Sequence, residues 1–564
     1  MPDLPPAQSL ANAAIWFAAD GYDPAKGING RRVAGESFLR GFFRHGVVDE
    51  FISLAQGSAD HTAFAGTAAR LGVIQPLRAV RLDAPQRIDP ARVVYYPAPI
   101  HPVECWRRAP YGGAAWALCG ITHTTATKAV MEAMFNLRAA PQMPWDAVIC
   151  TSTAVQASLR TLMELAEEHL SVRFAGAVLP ARPLLPVIPL GVHCDDFAPD
   201  PGLAAGLRAR LGIGARDIAV SCIARLTPDE KFDPFPLFLA LEAAAPQLAA
   251  LGGRFHLLFC GQFRDPTWSP AFAEGARRLM PGVSYHQLDG GDAVERKSVL
   301  SASDIFVFPV DNLQETFGLA PVEAMAAGLP VIVSDWDGMK DTVTDTTGFR
   351  IPTEMARAGA ATHISLRHLG GTDSYLQYLG QLSALTRIDV GRLRDALTAL
   401  ATDPDLRKRM GAAGKARARA LYDWRVIIPQ MQALWGEQAA MLTHARGNAR
   451  SKLQPGRIPV GPAPELMFAR YPSHPAPDAT RRLRAVPLDG RPTVADTLTL
   501  RRYAASGRMV EGESRIEAVL QAYAARGPNG ASEAEIAQET GLHPGTVARA
   551  GLWLAKYHFL EDVL

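Results

Sequence analysis

The chain is 564 residues long, 48% apolar and 20% charged, with a formal net charge of +2. A chain of this length needs more than one hydrophobic core, so the composition implies a globular protein of about two to four domains. The near-zero charge excludes a global field that would drive it onto nucleic acid or an anionic membrane, and no apolar run reaches the ~20 residues of a membrane span.

The N-terminal segment Met1-Pro2-Asp3-Leu4-Pro5-Pro6 has neither a basic start nor an apolar core, so no secretory signal is expected. Strands are predicted at Ala14 to Ala18, Phe51 to Leu54, Val93 to Tyr96, Trp116 to Ile121 and Ala147 to Cys150. Each is nearly continuous in apolar residues, as in a parallel sheet buried on both faces. Helical patterns cover Ala126 to Leu137 and Ala154 to His169, which makes residues 1–196 a doubly wound α/β domain. Cys105, Cys119, Cys150, Cys194, Cys222 and Cys260 form no C-x-x-C pair, so they are read as reduced core residues rather than metal ligands.

The alternation restarts at residue 197 and runs to 442, with strands at Ile218 to Ile223, His256 to Cys260, Ser284 to Gln287, Ile305 to Phe308 and Val331 to Ser334. Arg225 and Lys231, six apart on the loop after the first of these, can both reach one diphosphate. Gly261 ends the next strand, where a missing side chain would let backbone approach a ligand. After Phe308 a loop carries Glu315, Thr316, Phe317 and Gly318 into a short helix that holds Pro321 in its first turn and Glu323 two positions on. Pro321 suits a first turn, Gly328 suits the left-handed position that stops a helix, and Pro330 blocks continuation. Amides of Thr316, Phe317, Gly318 and Leu319 are expected to be free for an anion, and Glu323, placed in the first turn, to accept two ribose hydroxyls. Residues 355–387 read as an insertion beside the site, and 401–437 as closing helices.

The spacing from Glu315 to Glu323, with the phrases Glu315-Thr316-Phe317-Gly318-Leu319 and Glu323-Ala324-Met325-Ala326-Ala327-Gly328-Leu329-Pro330, resembles the E-x7-E motif of the family 4 retaining glycosyltransferases of the GT-B fold. Val187-Ile188-Pro189-Leu190-Gly191-Val192 resembles that family's hinge phrase, and Arg225 to Lys231 its G-R-L-x-x-x-K-G pattern, with one extra residue before the lysine. The resemblance implies two Rossmann-like domains and transfer of a sugar, with retention and no metal, from a nucleotide-diphosphate sugar donor. No cofactor is expected to be bound. In this reading Glu315, His123, Arg225 and Lys231 are catalytic, His123 contacting the donor sugar. Gly27, Gly30, Gly261, Thr316, Phe317, Gly318, Leu319 and Glu323 bind the donor, Gly27 and Gly30 from a loop facing it across the cleft. The acceptor is expected to be a glycan, a lipid-linked sugar or a protein, and the location cytoplasmic or peripheral to the inner face of a membrane. Two rivals are another GT-B activity, such as a nucleotide-sugar epimerase, and a nucleotide-sugar-sensing DNA-binding regulator.

Residues 443–512 read as a basic, proline-rich linker: positions 443–510 hold nine prolines and twelve Arg or Lys against four acids. Residues 513–564 read as a helical, winged-helix-like module, with helices at Arg515 to Arg526, Glu533 to Thr540 and Gly545 to Lys556 and a capping box from Ser532 to Glu535. This module has four basic and seven acidic residues. DNA binding is therefore not expected. Self-association or a protein partner is, with Leu552, Trp553 and Tyr557 as the apolar surface.

Overall fold

A computed structural model of the chain describes residues 11–22, 30–445, 453–473, 480–503 and 511–563. The chain divides into two compact units, Met1–Gln454 and Pro455–Leu564. The first unit holds two six-stranded sheets, each entirely parallel.

The first sheet comprises β1 (Ala14–Trp16), β2 (Phe51–Ala55), β3 (Leu77–Arg81), β4 (Val93–Tyr95), β5 (Ala117–Ile121) and β6 (Ala147–Ile149), in spatial order 3-2-1-4-5-6. The second comprises β7 (Ile218–Ile223), β8 (Phe255–Gly261), β9 (Ser284–Asp289), β10 (Ile305–Phe308), β11 (Val331–Ser334) and β12 (Gly348–Ile351), in order 12-11-10-7-8-9. Counted from its own first strand, the second sheet repeats the order of the first. Both are doubly wound Rossmann-like domains, the pair that a GT-B fold requires. In such sheets ligands bind outside the carboxyl ends of the strands, where the strand order reverses. In the second sheet that point lies between β7 and β10.

The ten predicted strands are present within a residue or two. Two strands that the sequence reading did not pick out, β3 and β12, lie at sheet edges. There each strand is covered only in part, and the continuous apolar run that marks a central strand is absent. All six cysteines are free and buried.

The chain's last long helix in this unit, Trp424–Ala445, returns to the first sheet. Gln438 Nε2 donates to Leu118 O at 3.0 Å and Trp145 O at 2.7 Å, and Trp435 packs edge-on against Phe42, with ring centroids 5.5 Å apart. Trp424 lies on Gly191, where a Cβ would come within 2.3 Å of its ring. The two domains are thereby tied at one end by a helix that belongs in sequence to the second and in packing to the first. Within residues 355–387, helices Thr362–Leu369 and Tyr375–Ser383 form a hairpin, and Ser383 Oγ donates to the buried Asp311 at 2.7 Å.

The second unit has helices Glu513–Ala525, Glu533–Thr540 and Pro544–Lys556 close to their predicted bounds, and the Ser532–Glu535 capping box is formed. Part of the stretch read as a linker belongs to this unit's fold. Arg482–Ala485 is the central strand of a three-stranded antiparallel sheet, and Leu483 and Val494 lie in the unit's core. Its many arginines hid that strand, since Arg481 and Arg484 pair outward with Asp562 and Glu561. Trp553 is also in that core, stacked on Phe559, so of the three predicted surface residues only Leu552 is largely exposed.

Candidate active site

At the carboxyl ends of β7, β8 and β9 the structure forms a cavity of about 600 Å³. Arg225, Gly261 and Glu323 line it, together with Arg296, Lys297 and, from the first domain, Glu36. Three cations therefore face the space outside the second sheet where an anion would bind.

The loop after β7 sets Arg225. Its Nη1 donates to Glu230 Oε2 at 3.0 Å and its Nη2 to Gln314 Oε1 at 2.5 Å. Glu230 is itself buried and accepts from Arg264 on its other oxygen. Lys231 takes a different course. Its Nζ donates to Glu315 Oε2 and sits over the Phe308 ring, 5.0 Å from the centroid. The cation pair predicted to share one diphosphate is thus divided. Arg225 faces the cavity, whereas Lys231 is drawn under the loop to Glu315 and is not part of the cavity lining.

The loop amides are also engaged. Glu315 Oε1 accepts from the N–H groups of Thr316, Phe317 and Gly318, at 3.2, 3.3 and 2.9 Å. The expectation that they stand free is corrected: the loop folds back so that its own carboxylate satisfies the amides that open the helix. Burial pushes the Glu315 carboxyl up, but Lys231 and these hydrogen bonds outweigh it and hold the pKa at about 2. Gly318 has φ 82° and Gly328 φ 89°, so the helix Leu319–Ala327 is bracketed by two left-handed glycines. Because it starts at Leu319, Glu323 is its fifth residue, one turn further in than predicted. Among the described residues no side chain or backbone group hydrogen-bonds to Glu323. Burial raises its pKa to about 7, against a small opposing pull from Arg296.

Gly261, which lines the cavity, also has a packing role. A Cβ there would lie 1.9 Å from Ala224 O, and a Cβ on Gly290 would lie 2.5 Å from Gly261 Cα. The missing side chain lets three loop backbones converge on the cavity wall. Phe317 is buried, edge-on to Tyr422 at 6.0 Å. Leu319 lines a smaller recess beside the cavity with Glu36 and Glu323.

The first domain meets this loop directly. His123 follows β5, its Nε2 lies 2.8 Å from Pro97 O, and its carbonyl accepts from Thr316 Oγ1. Thr151 Oγ1 donates to Thr316 O at 3.1 Å. Ser152 Oγ donates to Asp337 at 3.0 Å, and both the N–H and the hydroxyl of Thr153 reach Asp341 at 2.7 Å. Ser152 is the N-cap of helix Thr153–Arg173, its hydroxyl accepting from Val155 N–H at 3.1 Å, while Asp341 of the other domain takes the first helical N–H. Asp337 has φ 42°, and burial with Glu315 nearby raises its pKa to about 7. Gly30 is the first residue of helix Gly30–His45 rather than a loop residue. Gly27 lies outside the described residues.

The sequence reading did not single out Arg296, Lys297 or Glu36. A signal for the first two was present: Asp292 caps helix Ala293–Ala302 at the end of β9's loop, which places both cations near a strand's carboxyl end. Glu36 has no comparable local signal.

Residues 220–367 match the family model of the glycosyl transferases group 1. That span covers nearly all of the second Rossmann-like domain's sheet and contains Arg225, Lys231, Arg296, Glu315 and Glu323. Two relatives are GDP-mannose-dependent mannosyltransferases. One, from Corynebacterium glutamicum, is a monoacylated α-(1-6)-phosphatidylinositol monomannoside mannosyltransferase, 26% identical over 258 residues, or 44% of this chain and 55% of that protein. The other, an α-(1-6)-phosphatidylinositol monomannoside mannosyltransferase of Mycobacterium tuberculosis, is 28% identical over 279 residues, or 48% of this chain and 60% of that protein. The chain thus spans little more than half the length of these relatives. Among solved structures, Anabaena Alr3699/HepE in complex with UDP is 17% identical, with 76% of this chain and 100% of that one covered and a TM-score of 0.48.

Proposed function

We propose that this protein is a retaining glycosyltransferase that takes a sugar from a nucleoside-diphosphate sugar without a metal ion. The observation that carries the reading is the cavity itself: Arg225, Arg296 and Lys297 face the carboxyl ends of β7–β9, beside Glu323, a carboxylate with no hydrogen-bond partner among the described residues. In this reading Glu323 accepts the ribose hydroxyls. The three cations offset the diphosphate's charge, which grows on the leaving oxygen in the transition state. Glu315, fixed by Lys231 and three amides, accepts a sugar hydroxyl, and His123 approaches from the first domain. The acceptor hydroxyl attacks the anomeric carbon from the face the diphosphate leaves. The carbon–oxygen bond to the phosphate breaks, and the departing phosphate oxygen takes the hydroxyl's proton. Retention rests on the E-x7-E resemblance, and metal independence on cations standing where a metal would otherwise neutralise the phosphates.

The relatives' names make GDP-mannose the first donor to try and a lipid-linked, phosphatidylinositol-type glycan the first acceptor. Such an acceptor fits a protein in which no helix of the described residues is long and apolar enough to cross a membrane. It would be met at the membrane surface. Residues 480–563, helices closed by a small antiparallel sheet, support a winged-helix-like module used for assembly or acceptor docking.

Thermal melts with GDP-, UDP- and ADP-sugars test the donor class. A nucleotide present at 100 times its Kd stabilises the folded state by about 2.7 kcal/mol, so one of the three should raise Tm by several degrees. No shift with any of them removes the reading. Transfer that continues undiminished in EDTA is the expected result for the metal-free chemistry, and loss restored by magnesium or manganese overturns that part.

A further inference from the structure

Both terminal nitrogens of Arg225 are engaged before any ligand arrives. Nη1 is held by Glu230 at 3.0 Å and Nη2 by Gln314 at 2.5 Å. These partners come from different loops, one after β7 and one after β10, so they clamp the guanidinium across the point where the strand order reverses. Each partner is anchored in turn. Glu230 has only 3% of its side chain exposed and is bound on its second oxygen by Arg264. Gln314 takes its backbone N–H to Asn312 Oδ1 at 3.0 Å, and its Nε2 lies 3.4 Å from the Tyr375 hydroxyl of the inserted hairpin. A guanidinium carries five N–H donors in a rigid plane. With one on each terminal nitrogen spent on the clamp, the remainder stay in a fixed orientation on the cavity wall.

We infer that Glu230 and Gln314 are positioning residues for Arg225, acting on sugar transfer only through that guanidinium. This rests on the reading of the cavity as a nucleoside-diphosphate site. A flexible arginine would bind the ground-state diphosphate nearly as well by charge alone. It would lose the alignment with the leaving oxygen that matters as the bond breaks. The Tyr375 contact also gives residues 355–387 a part in this arrangement, because the hairpin braces the outer arm of the clamp.

The test is a double-mutant cycle in the full chain. Glu230→Gln, Gln314→Ala and Arg225→Ala are made singly, and the first two are then each combined with Arg225→Ala. Nucleoside-diphosphate binding is titrated calorimetrically, so that turnover is expressed per competent site and a misfolded fraction is not counted as slow enzyme. In the wild-type background each clamp variant should lower kcat by up to about 100-fold, the scale for misplacing a catalytic group by an ångström, with donor KM changed far less. In the Arg225→Ala background the same variants should change kcat by no more than about twofold, the scatter expected of uncoupled sites. Equal losses in both backgrounds would show that the clamp acts elsewhere, and so would kcat per site unchanged in Glu230→Gln and Gln314→Ala. If the wild type binds no nucleoside diphosphate, the reading of the site fails first and this inference with it. Binding and transfer by the wild type without coupling removes the inference alone.

Discussion

Glu323 and Glu315 are eight residues apart and lie in opposite electrostatic states. Glu323 is half-buried at the cavity wall without a hydrogen-bond partner among the described residues, and desolvation raises its pKa to about 7. A carboxyl whose folded pKa exceeds its unfolded value near 4.5 takes up a proton on folding between those two pH values. Its ionisation therefore costs stability progressively as pH rises from 4.5 to 7. Glu323→Gln should raise Tm at pH 8, leave it nearly unchanged at pH 4.5, and weaken nucleotide binding at both. Calorimetric melts at the two pH values check this, and a variant less stable than wild type at pH 8 would contradict it. Glu315 shows the reverse sign. Its folded pKa of about 2 lies below 4.5, so its stabilisation is complete above 4.5 and is lost as pH falls toward 2. Lys231→Met leaves that carboxylate without its cation and should cost about 3 kcal/mol at pH 7, as for breaking a buried pair. The penalty should shrink at pH 3, where Glu315 without its lysine can protonate; urea titrations at both pH values measure it.

Two contacts between elements set the cleft. The hydrogen bonds that Asp341 accepts from Thr153 join the domains at the N-terminus of helix Thr153–Arg173. Asp341→Ala should lower stability by about 1 kcal/mol, the usual net worth of a hydrogen bond, with an unchanged urea m-value. A smaller m would show that the domains had parted instead. At the cavity wall, Gly261 has no room for a methyl group, because Ala224 O would be 1.9 Å from it. The carbonyl is backbone on the neighbouring β7 loop, so relief requires the loop to move. Gly261→Ala should cost about 1–3 kcal/mol, as overpacking does, and should also weaken nucleotide binding by displacing Arg225's neighbour, Ala224. A variant with wild-type affinity would show that the loop yields without moving the arginine.

At the scale of the whole molecule, each unit has its own core. Residues from Leu483 to Leu560 form one cluster, drawn wholly from the second unit. A protein truncated after residue 445 should therefore keep its nucleotide-induced rise in Tm, and loss of that rise would tie the second unit to the site. Truncation before Trp424 should be far more damaging, since it strips Trp435 and Gln438 from the first sheet.

The sequence by itself determined the elements that local chemistry governs. Apolar runs marked the eight central strands, because a strand buried on both faces has no polar alternative. Pro321 and Gly328 fixed the helix between β10 and β11, and Ser532 with Glu535 fixed a cap, because backbone dihedrals and orphan amides are settled within a few residues. Edge strands β3 and β12 and the arginine-rich strand Arg482–Ala485 were hidden, since their pairing depends on partners far along the chain. Only the tertiary structure decided which charges meet. It sent Lys231 to Glu315, clamped Arg225 between Glu230 and Gln314, and left Glu323 beside Arg296 with no hydrogen-bond partner among the described residues. Apart from Arg225 and Glu230, which share a loop, these partners sit on loops some thirty to ninety residues apart in sequence, and no local pattern encodes the distances between them.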